Sequence, residues 1–81
     1  MPIVVISRTY LANGHPGEIR EATGQEEWEA LLNRLRDRGL TPEPFRTEDG
    51  TDGVTVECPG LLDARDVHGI ACAYRALPVI S

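Results

Sequence analysis

The stretch Thr23–Leu40, TGQEEWEALLNRLRDRGL, constrains this chain more tightly than any other. Trp28, Leu31, Leu32 and Leu35 recur at i, i+3, i+4 and i+7, so one stripe of a helix is apolar and must bury against another layer. Thr23 followed three residues later by Glu26 is a capping-box signature, in which hydroxyl and carboxylate each satisfy an orphan backbone N–H. Glu26, Glu27 and Glu29 near the start and Arg34, Arg36 and Arg38 near the end both suit the helix dipole. Gly39 stands where a left-handed residue stops the helix, with Leu40 packing back on its last turn.

Around this helix, 81 residues supply a single domain (1–81) with one two-layer core. A chain of this size gains stability from a partner or a second copy, which leaves a homodimer open. The longest apolar run, Ile3–Ile6, is far too short to span a bilayer, and Met1–Pro2 opens without a basic n-region. The expectation is a cytoplasmic protein with no membrane contact and two free thiols.

Ile3–Ala12 reads as a strand, apolar on both parities at its start. Asn13-Gly14-His15-Pro16-Gly17 is a dense turn signal, and Glu18–Ala22 offers a short returning strand. After the helix, Leu40–Thr47 is extended. Pro42 and Pro44 drop their N–H groups on one side of it, as an edge strand tolerates. Glu48–Gly53 carries two Asp-Gly pairs and reads as a hairpin loop before Val54–Cys58, whose alternation turns Val54, Val56 and Cys58 inward. Asp63–Leu77 reads as a second helix capped by Asp63, with Val67, Ile70, Ala71, Tyr74 and Leu77 as its apolar stripe. Gly69, Ala73 and Ala76 form a small-residue face, suited to close packing on the first helix or to a dimer seam. Pro78 ends that helix, and Val79-Ile80 can add a terminal edge strand.

The expected architecture is α+β: a two-layer sandwich in β(β)αββα(β) order, its mostly antiparallel sheet carrying two helices on one face. A ferredoxin-like arrangement is the nearest common fold, one that hosts many functions.

Four constellations carry chemistry. His68 and Cys72 lie four apart on the second helix, with Cys58 before them and His15 as the remaining soft ligand. No CxxC or HxxxH pair completes a zinc site, so no metal or cofactor is expected. Cys58 or Cys72 with His68 as base would be a thiolate nucleophile, given an electropositive and accessible setting. The opening MPIVVI resembles the tautomerase superfamily; the resemblance implies an enzyme in which Pro2, exposed by loss of Met1, acts as general base and Arg8 anchors a substrate carboxylate.

The fourth constellation is charge placement. The formal net charge is −5, and all eight basic residues are arginine. The absence of lysine removes Schiff-base chemistry and a phosphate-loop lysine. Net acidity argues against direct nucleic-acid binding. Residues 18–29 hold five Glu against one Arg, and residues 47–57 hold four carboxylates with no base. Glu26, Glu27, Glu48, Asp49 and Asp52 are therefore the candidate partner-binding residues, for a basic protein surface such as a nucleic-acid-binding channel. Small acidic inhibitors of phage and mobile elements, anti-CRISPR proteins among them, share this size and charge. Together these features point to a non-enzymatic binding module.

Overall fold

The computed structural model describes residues 1–15 and 17–81. Four strands form the main sheet: β1 (Ile3–Ser7), β4 (Glu43–Arg46), β5 (Asp52–Glu57) and β6 (Leu77–Ile80). Two short strands, β2 (Thr9–Leu11) and β3 (Ile19–Glu21), pair as a separate ribbon. The helices are α1 (Gln25–Asp37) and α2 (Leu61–Ala73). The main sheet runs β4-β5-β1-β6 with every neighbouring pair antiparallel. With the ribbon set aside, the order is βαββαβ. The fold is thus α+β as expected, and its topology is consistent with a ferredoxin-like arrangement.

One core lies between the sheet and the helices. Val4 and Ile6 of β1 pair with Val56 and Val54 of β5, and alternation points all four to one face. Trp28, Leu31 and Leu35 of α1 and Ala64, Val67 and Ala71 of α2 close over them, with Leu32 packed at the margin. Both helices therefore cover the same face. On the other face Ile3, Val5 and Thr55 are half-buried, whereas Val79 and Leu77 are exposed.

Arg8 breaks what the sequence presents as one strand over Ile3–Ala12. Its N–H donates to the Asp52 carbonyl at 2.9 Å and extends the main sheet, while its own carbonyl accepts from Ala22 N–H at 2.8 Å and opens the ribbon. One residue thus hands the chain from one sheet to the other. The expected turn over residues 13–17 includes Pro16, which lies outside the described residues; before it, Asn13 and Gly14 are both left-handed, at φ 54° and 70°, in a tight turn closed by His15 N–H on the Ala12 carbonyl at 3.1 Å.

The Thr23–Glu26 capping box does not form. Gly24 is the N-cap of α1, its carbonyl accepting from Trp28 N–H at 2.9 Å, and no side chain among the described residues caps the end. Thr23 is fully buried instead, and its hydroxyl has no hydrogen-bond partner among the described residues. The other end follows expectation. Gly39 is left-handed at φ 79°, its N–H reaches the Arg36 carbonyl, and Leu40 N–H reaches the Leu35 carbonyl, a complete Schellman motif.

Helix α2 starts two residues before the expected Asp63 and ends earlier than Leu77. Gly60 is its N-cap, and Asp63 lies in its first turn. A second Schellman motif closes it, Arg75 N–H bonding the Cys72 carbonyl and Ala76 N–H the Ala71 carbonyl. The left-handed residue here is Arg75 at φ 64°, a conformation whose signal in sequence is normally glycine. Leu77 consequently belongs to β6. The Gly69/Ala73/Ala76 face dissolves with this shift: Gly69 and Ala73 face solvent, Ala76 is buried beyond the helix end, and Ala64, Val67 and Ala71 make the close contacts.

Both sheet edges carry proline, as the pair at Pro42 and Pro44 requires of an edge strand. Ile3 and Ser81 exchange hydrogen bonds, so alternation leaves Pro78 facing outward on β6. Pairing of Thr47 N–H with the Thr51 carbonyl likewise leaves Pro44 facing outward on β4. Neither edge offers an unbroken row of donors to an added strand. Between them Gly53 meets β1 so closely that a Cβ would run into the Ile6 carbonyl oxygen and stand 2.8 Å from the Ser7 Cα.

Candidate functional site

The topology gathers the two acidic segments at one end of the molecule. Strand β1 ends there at Ser7, and α1 begins there because Ala22 is bonded to Arg8. The β4–β5 loop lies at the same end, since Asp52 is bonded to Arg8 and pairs with Arg46. The ribbon adds to it: the Ile19 side chain packs over Gly50, where a Cβ would stand 2.6 Å from it. Glu18 and Glu21, at the start and end of that strand segment, are exposed.

The five candidate carboxylates divide by environment. Glu26 and Glu27 are exposed in the first turn of α1, where the helix dipole favours them. Glu48 is exposed at the tip of the β4–β5 loop. Asp49, beside it, folds the loop: its Oδ1 accepts from the Thr47 and Thr51 hydroxyls and from Thr51 N–H at 3.2 Å. The Thr47 hydroxyl above all, then the Thr51 donors, hold the Asp49 carboxyl below the usual carboxylate range.

Asp52 is occupied within the fold. Its carboxylate accepts from the Thr9 hydroxyl at 2.9 Å and faces the Arg8 guanidinium at 3.4 Å, while its N–H donates to Thr9 Oγ1 at 2.9 Å. Arg8 in turn donates to Glu21 at 2.9 Å. The Glu21 hydrogen bond raises the guanidinium pKa against the opposing effect of burial, with Asp52 adding to the rise. This knot pins ribbon, β1 and β5 together. Nothing in the one-dimensional spacing of Arg8, Thr9, Glu21 and Asp52 signals it; it exists only once β1 and β5 pair.

The remaining candidates are kept apart. Pro2 and Arg8 stand at opposite ends of β1, about 20 Å apart for six residues of extended chain, and Arg8 is paired with two carboxylates. They do not face one substrate within a single copy. His68 Nδ1 and Cys72 Sγ are 3.8 Å apart on the outer side of α2. Cys58 is fully buried with its thiol toward the Val56 carbonyl, and desolvation, then the nearby Asp63 charge, pushes that thiol up in pKa. Among the described residues no three His, Cys, Asp or Glu side chains converge as a metal site.

A groove of about 460 Å³ runs between α1 and the edge strand β4, floored by Trp28, Leu32, Pro42 and Val54. Trp28 is 7% exposed, so it serves the core and the groove wall together.

No helix of the described residues is long and apolar enough to cross a membrane. Neither a family model, nor a curated protein, nor a solved structure matches this chain.

Proposed function

We propose that the chain is a small binding module that docks its acidic end on a basic surface of a protein partner, of the kind that otherwise holds nucleic acid. The observation that carries this reading is the meeting of the α1 N-terminus, the β4–β5 loop and the ribbon at one end of the fold. Carboxylates distant in sequence then add their fields at one place, which speeds encounter with a positive groove and favours it over neutral surfaces. Glu26, Glu27 and Glu48 are the contact residues. Asp49 holds the loop in shape, and Asp52 holds the loop to β1. In this reading the module inhibits by occupying the groove, as an anti-CRISPR-like protein would.

The proline-blocked edges support the same mode, because they disfavour strand addition and leave side-chain contact as the means of recognition. The test is affinity capture from the native host with wild type and with Glu26→Arg/Glu27→Arg/Glu48→Arg. Wild type should retain a partner that free nucleic acid competes away, and the folded triple variant should lose it. Retention by the folded variant, undiminished by nucleic acid, overturns the reading.

A further inference from the structure

The groove between α1 and β4 is built from two matched rows. Trp28, Leu32 and Arg36 repeat every four residues along one line of α1, and Pro42, Pro44 and Arg46 repeat every two along one face of β4. Helix and strand run in opposite directions: α1 ends beside Ile3 and Cys58, at the end of the sheet opposite the β4–β5 loop. Arg36 therefore lies at one end of the groove and Arg46 at the other. Eight residues of helix and four of strand both put about 12 Å between the two ends. Between them the floor is Trp28, Leu32, Pro42 and Val54.

Both arginines are exposed, and neither has a carboxylate within ion-pair distance among the described residues. Among the described residues the Arg36 guanidinium donates only to the Asn33 side-chain oxygen, at 3.4 Å. Asp52 also borders the groove, but its carboxylate is turned to Arg8 and Thr9. An apolar trough with one unpaired guanidinium at each end is complementary to a molecule of the converse pattern. We infer that this groove binds an elongated ligand with an apolar body and a carboxylate at each end. Its volume falls in the range of small-molecule sites, and Pro44 withholds the outward backbone donor that would draw a peptide strand there instead. The Arg46 end of the groove adjoins the β4–β5 loop, but Glu26, Glu27 and Glu48 do not line it, and the inference does not depend on their role.

Trp28 is the sole tryptophan and lines the groove, so its fluorescence reports occupancy directly. The experiment titrates the intact chain with decanedioate, decanoate and decane-1,10-diol, following Trp28 emission. Decanedioate should bind tightest, with affinity falling about fivefold for each carboxylate removed, as exposed ion pairs warrant. Arg36→Gln and Arg46→Gln, both at exposed positions, should leave the circular dichroism spectrum unchanged and should each reduce decanedioate to the affinity of decanoate. Equal binding of decanedioate and the diol, indifference to both substitutions, or no change in Trp28 emission up to about 10 mM probe would overturn the inference.

Discussion

Arg8 and Asp52, forty-four positions apart, are joined by backbone and side chain at once: Arg8 N–H donates to the Asp52 carbonyl at 2.9 Å, and the guanidinium faces the Asp52 carboxylate at 3.4 Å. The same carboxylate accepts from Thr9, so a single aspartate ties the ribbon to the main sheet. Asp52→Ala should therefore destabilise by about 1–3 kcal/mol, the cost of leaving part-buried donors unmet. Asp52→Asn keeps an acceptor for Thr9 and should cost less. Chemical denaturation of the two variants measures the difference.

At the start of α1, two accounts of Thr23 differ in sign. A capping threonine changed to valine loses about 1 kcal/mol. A buried, unpartnered hydroxyl replaced by an isosteric methyl gains, by about 1 kcal/mol or more. Thr23→Val should raise the thermal midpoint.

The two Schellman motifs offer a matched pair. Arg75 holds a left-handed conformation that its Cβ disfavours, so Arg75→Gly should stabilise by about 0.5–1 kcal/mol. Gly39 holds the same conformation with nothing within 4 Å of a built Cβ. Gly39→Ala should thus destabilise by about 1 kcal/mol through backbone strain alone. The same denaturation assay reads both.

The cysteines should separate kinetically. Cys72 is exposed and Cys58 fully buried, with its thiol also pushed up in pKa by burial. Thiol titration of the native protein at pH 8 should consume one equivalent rapidly and the second only at the rate of unfolding. Two rapid equivalents would contradict the burial of Cys58 in the core.

What periodicity carries was legible in the sequence: the α1 stripe, the inward face of β5, the edge position forced by Pro42 and Pro44, and the Gly39 stop. The failures have a common cause. Arg8 does not look like a strand break, Arg75 does not look like a helix stop, and Thr23 does look like a cap. In each case a backbone conformation or burial imposed by distant partners outweighs the local preference of the residue. The candidate site divides in the same way. Charge clustering named five carboxylates, but only strand pairing separates Asp52, engaged with Arg8, from the exposed Glu26, Glu27 and Glu48. The groove stayed hidden because Arg36 and Arg46 share no spacing until α1 lies along β4.

Docking through the acidic end makes partner capture depend on ionic strength, and a salt series reads that dependence. Exposed charges interact over a Debye length of about 10 Å at 0.1 M salt and about 3 Å at 1 M. Capture by wild type should fall steeply across that range, and capture by Glu26→Gln/Glu27→Gln/Glu48→Gln should be weak at low salt and nearly flat. A wild-type capture that is unchanged by salt, or a neutralised variant that matches it at every ionic strength, would rule out docking through Glu26, Glu27 and Glu48.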